Sequence, residues 1–147
     1  MNHIRIQTED FDPGVEIAAL QDGSGTAGAI ATFIGLVRGD GGLTSMTLDH
    51  YPGMCESEIA AHATEARRRW PLLGLRIVHR SGRLVPGDRI VFVGVASGHR
   101  QAAFEAAEFL MDYLKTRAPF WKLEQRGAEQ NWVAARGEDD EAVKRWR

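Results

Sequence analysis

Two apolar runs constrain the fold of this chain more than any other feature of its sequence. Residues 89–96 read Arg-Ile-Val-Phe-Val-Gly-Val-Ala, and residues 27–37 form a second, nearly continuous apolar segment. A run that is apolar on both faces is typical of a strand buried within a sheet. Both runs are far shorter than the roughly 20 residues of a membrane-spanning helix. We therefore expect both to be buried strands of a soluble protein.

Hydrophobic periodicity and turn residues divide the rest of the chain into short elements. Segment 44–51 is expected to return from 27–37 as the second strand of a hairpin, across a glycine-rich loop at 38–42. Strands and helices alternate without regular βαβ units, which predicts an α+β fold with a mixed or antiparallel sheet and packed helices. The remaining predicted strands are 3–7, 75–80, 120–125 and 131–135, and the predicted helices are 12–20, 54–70, 101–116 and 138–146.

Length and composition limit the function classes. A chain of 147 residues is expected to form one domain over 1–147. Its 18 basic and 20 acidic residues give a net charge of −2, so nothing attracts it generally to nucleic acid or to a membrane surface. The single cysteine, Cys55, excludes an intramolecular disulfide and a cysteine-based zinc site. The first residues lack an apolar signal core, so a cytoplasmic location is expected.

Lysine is rare in this sequence, with three lysines against 15 arginines. Two of them, Lys115 and Lys122, flank a Pro119-Phe120 corner. An amine can lose its proton and act as a base or nucleophile, whereas a guanidinium cannot. A neighbouring cation or partial burial favours that role. A solvated helix end, where the helix dipole favours cations, explains the same spacing, and both interpretations stay open.

Two further segments are candidate anion sites. Ser-Gly-His-Arg at 97–100 stands where a strand leads into a helix, and the free N–H groups of a helix N-terminus hold anions. His99 and Arg100 would strengthen such a site, especially for a phosphate. Arg38 lies in a glycine-rich loop whose backbone can approach a ligand closely. A helix cap and a simple hairpin loop explain these residues as well.

Taken together and in this order, these segments resemble the catalytic large subunit family of molybdopterin synthase. The most specific stretches are Leu-Asp-His-Tyr-Pro-Gly-Met at 48–54 and Met-Asp-Tyr-Leu-Lys-Thr-Arg-Ala-Pro-Phe-Trp-Lys at 111–122. The resemblance extends from about residue 28 to the end of the chain. Shorter matching stretches include Gly-Leu-Val-Arg at 35–38, Val-His-Arg-Ser-Gly at 78–82, Val-Phe-Val-Gly-Val at 91–95, His-Arg at 99–100 and Lys-Arg-Trp at 144–146.

The resemblance implies a fold, an activity and a partner. The fold of this family is an α/β hammerhead with an added antiparallel part. The family inserts two sulfurs into cyclic pyranopterin monophosphate, which forms the molybdopterin dithiolene during molybdenum cofactor biosynthesis. The sulfur arrives as a thiocarboxylate on the C-terminal Gly-Gly of a small ubiquitin-like partner subunit. We therefore expect a sulfurtransferase that forms a homodimer within a heterotetramer and has neither a cofactor nor a metal of its own.

The resemblance also assigns functional residues. Lys115 and Lys122 match the essential lysine pair of the family. We expect Lys122 to contact the thiocarboxylate carbonyl and Lys115 to assist proton transfer or charge neutralisation, although the sequence allows these roles to be exchanged. The expected substrate-binding residues are Phe33, Leu36, Val37, Arg38, His99, Arg100, Met111, Leu123, Glu124 and Arg136.

Two other function classes fit parts of the sequence. A non-catalytic scaffold could bind a ubiquitin-like tail or an anionic ligand without chemistry, but the presence of both lysines favours an enzyme. Residues 65–100 contain eight arginines against two acidic residues, which is a possible nucleic-acid stripe. The net charge favours a solvated surface instead, and so does the position of most of these arginines, which alternate with apolar residues on predicted strands or lie on the polar face of a predicted helix.

Overall fold

The computed structural model describes residues 2–21, 23–133 and 137–146, and only the backbone of 137–140. Within these ranges the chain forms eight strands, four α-helices and one 3-10 turn. In chain order they are β1 (Asn2–Gln7), α1 (Pro13–Leu20), β2 (Ala29–Leu36), the 3-10 turn (Asp40–Gly42), β3 (Ser45–His50), α2 (Met54–Arg69), β4 (Leu72–Arg80), β5 (Gly82–Leu84), β6 (Arg89–Ser97), α3 (Arg100–Thr116), β7 (Phe120–Arg126), β8 (Glu129–Val133) and α4 (Gly137–Lys144).

The described strands form two four-stranded sheets. The first has the order β1-β4-β6-β2, with β1 parallel to β4 and the other pairs antiparallel. The second has the order β5-β3-β7-β8 and is antiparallel throughout. The predicted α+β class with mixed and antiparallel pairing is confirmed.

The predicted hairpin between 27–37 and 44–51 is wrong. β2 pairs with β6, whereas β3 pairs with β5 and β7 in the other sheet. The connecting residues are bound elsewhere: Val37 N–H donates to the Asp88 carbonyl at 2.9 Å, and Thr44 N–H donates to the Gln125 carbonyl at 2.8 Å. These bonds lead the chain from one sheet to the other, so the glycine-rich segment connects two sheets.

β6 is the central strand that its apolar run predicted. From Val91 to Ser97 every residue is buried. Val93 and Val95 pack into a core with α2 and α3, while Phe92 packs with α1 on the opposite face. This alternation follows from the two-residue period of a strand. Each of these fully buried side chains contributes about 1.5–3 kcal/mol to folding.

β2, by contrast, is an edge strand, and the prediction that 27–37 is buried is wrong. Among the described strands it has a neighbour, β6, along one edge only. Three of its apolar side chains are exposed, namely Phe33 at 41%, Ile34 at 36% and Leu36 at 57%. An apolar strand can mark an interface as well as a core, and periodicity does not distinguish the two.

Candidate active site

A cavity of about 850 Å³ opens where the two sheets and the C-terminal end of α3 meet. Much of its wall is apolar, with contributions from β2, β3, β6 and α3, including Phe33, Met46, Ile90 and Met111. In the described part of the chain, the lysines and arginines that line it are Arg38, Lys115, Lys122 and Arg126. Positive charge beside a low-dielectric wall attracts anions more strongly than the same charge in open water.

Two different elements place the two lysines on this cavity. Lys115 lies in the last turn of α3 and is exposed. The chain then turns, with Arg117 N–H donating to the Tyr113 carbonyl at 2.7 Å, and enters β7 at Phe120. Lys122 follows in β7 and is half-buried. The corner between α3 and β7 thus brings both amines to one cavity.

Strand register explains which β7 residues face the cavity. Lys122 and Glu124 pair with Leu48 and Met46 of β3, and all four line the cavity. Leu123 lies between them and does not line it, because successive residues of a strand point to opposite faces. The Glu124 carboxylate accepts a hydrogen bond from Arg126 at 2.7 Å.

Most of the predicted site residues therefore meet. Of the described ones, the cavity is not lined by Leu123, His99 or Arg100, and Arg136 lies outside the described residues. The predicted residues that the structure brings together are Phe33, Leu36, Val37, Arg38, Met111, Lys115, Lys122 and Glu124.

His99 and Arg100 stand at the opposite end of α3 from Lys115. His99 is the N-cap residue and makes no capping bond with its side chain, and both residues are exposed. Arg100 and Lys115 are separated by 15 residues of one helix, which corresponds to about 22 Å at the usual helical rise. Within one copy of the chain, these two groups of cations therefore lie too far apart to contact one small substrate.

Arg126 and His79 are polar residues on the cavity that were not among the predicted site residues. Arg126 donates to the Gly41 carbonyl at 2.9 Å as well as to Glu124. His79 in β4 is buried against Phe120, with ring centroids 3.9 Å apart. Burial lowers the pKa of His79 to about 4, and the nearby charges of Lys115, His50 and Lys122 act in the same direction. The matching stretch 78–82 contains His79, but nothing local singled it out as a site residue, because the groups around it come from distant parts of the chain.

The cations differ in how they are held. Arg38 is paired with Asp40 at 3.1 Å in an exposed position, and Arg126 is paired with Glu124. Lys115 makes no hydrogen bond or ion pair with any residue in the described part of the chain. An unpaired ammonium on an apolar wall is available to an incoming anion.

Potential metal ligands are dispersed. Among the described residues, no group of three or more His, Cys, Asp or Glu side chains is arranged to hold a metal ion. Burial raises the pKa of the Cys55 thiol to about 12, so that this side chain behaves as an apolar core residue. None of the helices described here combines the length and the apolarity needed to cross a bilayer.

Known proteins share both this sequence and this fold. The family described as "MoaE protein" matches residues 6–117. A "Molybdopterin synthase catalytic subunit" from Mesorhizobium japonicum is 56% identical over 147 residues, covering 98% of this chain and 92% of the relative. The solved "Molybdopterin biosynthesis MoaE protein" from Burkholderia ambifaria is 51% identical with a TM-score of 0.87, covering 99% of this chain and 98% of that one.

A more distant structure shares the fold. It is a Helicobacter pylori complex of subunits 1 and 2 of molybdopterin-converting factor, matched at 18% identity and a TM-score of 0.74 over 92% of this chain and 91% of that one. The two-sheet α+β fold is what this chain shares with these solved structures. The match over most of the chain shows that it belongs to the MoaE family. The predicted family is thereby confirmed.

Proposed function

We propose that this chain is the catalytic subunit of a molybdopterin synthase. It transfers two sulfurs from the C-terminal thiocarboxylate of a small ubiquitin-like partner to cyclic pyranopterin monophosphate. The observation that carries the proposal is the convergence of Lys115 and Lys122 on one largely apolar cavity, in a member of a family whose curated relatives are named molybdopterin synthase catalytic subunits.

The chemistry of the cavity supports sulfur transfer. A thiocarboxylate and a phosphate are both anions, and the basic residues on the wall can bind either of them. We assign Lys122 to the carbonyl of the thiocarboxylate and Lys115 to proton transfer or charge neutralisation. Phe33 of β2 and Met111 of α3 both line the cavity and offer apolar contact to the ring system of the substrate. Leu36, Val37, Arg38 and Glu124 complete this part of the site.

We further propose that a second copy of the chain completes the substrate site. His99 and Arg100 are about 22 Å from Lys115 along α3, so they serve the neighbouring copy rather than their own. The exposed apolar side chains of the β2 edge fit a two-fold interface, in which each copy offers the same patch to the other. The assembly is then a homodimer that binds two small subunits.

This proposal assigns the chain no resident cofactor, since sulfur and pterin both arrive as substrates. Leu123 and Arg136 stay predicted substrate contacts. A cytoplasmic location also stays a prediction.

Reconstitution tests the proposed function. The purified chain, a thiocarboxylated small subunit and cyclic pyranopterin monophosphate should yield molybdopterin. Lys122→Ala and Lys115→Ala should each abolish most of the product, because the cavity then lacks an amine at the reacting groups. Lys144→Ala is the matched control, since Lys144 lies in α4, pairs with Glu141 at 2.7 Å and does not line the cavity.

The outcomes separate an enzyme from a scaffold. Full activity in both cavity variants would show that the lysine assignment is wrong. A tight complex of the unaltered chain with the small subunit, but without product, would indicate a non-catalytic tail-binding scaffold. Lys→Arg variants distinguish a need for a neutral amine from a need for positive charge alone, because a guanidinium keeps the charge but cannot act as a neutral amine.

A further inference from the structure

His79 is the buried imidazole on the cavity wall, and its hydrogen is fixed on one nitrogen. The side chain is 8% exposed, and its Nδ1 lies 2.8 Å from the Arg80 carbonyl oxygen. A carbonyl oxygen only accepts hydrogen bonds, so Nδ1 carries the hydrogen. Nε2 then keeps its lone pair as an acceptor. Among the described residues, no group donates to Nε2.

The ring is also fixed in orientation. It stacks on Phe120 at a centroid distance of 3.9 Å and an interplanar angle of 18°. Phe120 in turn lies 5.9 Å from the ring of His50 in β3. The hydrogen bond from Nδ1 to the Arg80 carbonyl and the stack on Phe120 together fix the imidazole, and with it the position of Nε2.

The surroundings of His79 keep its ring uncharged, so that Nε2 stays a hydrogen-bond acceptor. The charged or titratable groups around it are Lys115 on α3, Lys122 on β7 and His50 on β3, and all of them oppose a positive charge on the ring. Two carboxylates among the described residues also line the cavity, those of Asp40 and Glu124, and each of them already pairs with an arginine.

We propose that His79 is a positioning residue for Lys115. In the assembled complex, Nε2 of His79 accepts a hydrogen bond from the Lys115 ammonium and fixes where that ammonium stands relative to Lys122. Lys115 is suited to this bond because it lines the same cavity and has no other partner in the described part of the chain. The inference rests on the proposed function, in which Lys115 acts on the substrate or the partner tail.

His79→Phe tests the proposal, because phenylalanine keeps the aromatic stack and removes both nitrogens. We expect kcat for sulfur transfer to fall roughly ten- to a hundredfold, as a misplaced catalytic group does, with the KM for the small subunit unchanged. His79→Gln restores an acceptor near Nε2 and should recover part of the loss. His50→Phe is the matched control, since His50 also contacts Phe120 but does not line the cavity.

A direct readout of Lys115 separates positioning from a structural role. The chain has only three lysines, so labelling with an amine-specific reagent can be followed for each by mass spectrometry. In the complex with the unthiolated small subunit, His79→Phe should increase the labelling rate of Lys115 relative to Lys144, because a hydrogen-bonded ammonium reacts slowly.

Each outcome decides the proposal. Unchanged kcat in His79→Phe would overturn it, and so would a lower kcat with an unchanged labelling ratio, which would indicate structural damage instead. If His79→Phe does not fold, the same two measurements are made on His79→Leu, which also lacks both ring nitrogens, and the same two results are expected. Failure of the unaltered chain to form product would instead contradict the proposed function.

Discussion

Buried histidines make the stability of this protein sensitive to mild acid. Burial lowers the pKa of His79 to about 4 and also lowers the pKa of His62, whereas a histidine in the unfolded chain titrates near 6.5. Below that value the unfolded state takes up protons that the folded state does not, so the free energy of unfolding decreases as the pH falls. For His79 the loss is about 2 kcal/mol between pH 7 and pH 5.

Urea denaturation at a series of pH values between 7 and 5 measures this loss. His79→Phe should show a shallower decrease than the unaltered chain, while His50→Phe should retain it. Equal slopes in all three proteins would show that His79 is not held neutral.

The carboxylates affect the free energy of unfolding at lower pH than the histidines do. Burial raises the pKa of Glu16, but hydrogen bonds from Arg5 and Arg76 lower it more, so its contribution is lost only as the pH falls through the carboxylate range.

The sequence marked some site residues and not others for a physical reason. Lys115 and Lys122 were recognisable because an arginine-rich chain keeps amines at these positions and because a specific motif surrounds them. His79 lies in a matching stretch but was not recognisable as a site residue, since its role depends on Phe120 and Lys115, which lie some 40 residues away in sequence. Contacts made by folding together distant segments leave no local pattern.

Among the elements, β6 shows how closely a central strand can be packed. A Cβ atom added at Gly94 would lie 2.7 Å from Leu20 Cδ1 in α1 and 2.8 Å from Phe92 Cε1. Both neighbours are buried in the cluster between α1 and the first sheet. The glycine is therefore required for α1 to lie this close to β6.

Gly94→Ala should lower the free energy of unfolding by about 1–3 kcal/mol, the usual effect of overpacking a core. Gly98→Ala is the matched control, because no atom lies within 4 Å of a Cβ added there and Gly98 has an ordinary backbone conformation. Chemical denaturation of the two variants measures the difference. Equal stability would show that α1 moves aside at little cost.

Element types were easier to predict than element neighbours. The continuous apolar run of β6 predicts its central position, and Pro119 predicts that the preceding helix ends near Thr116. Both are local properties of the sequence. The hairpin assigned to β2 and β3 was wrong because pairing depends on hydrogen bonds with Asp88 and Gln125, far away in sequence. The strand β5, of three residues, was too short to show a period.

For the whole molecule, the proposed dimer makes a quantitative prediction. Arg100→Ala and Lys122→Ala chains should each be inactive alone. Co-refolded in equal amounts, they should recover about a quarter of the unaltered activity, since half of the dimers are mixed and one of the two sites in each is intact. The reconstitution assay measures this recovery. Activity no greater than the sum of the two variants would show that Arg100 does not act across the interface.

The exposed β2 edge makes the single chain prone to non-specific association until it forms a dimer. The edge of β2 that faces away from β6 has no strand neighbour in the described part of the chain. With Phe33, Ile34 and Leu36 exposed, this edge is a template for non-specific pairing with other chains. When burial of that edge depends on a second copy, resistance to unfolding rises with the amount of protein present. Substitutions along β2 would then act through the abundance of the protein in the cell as much as through turnover.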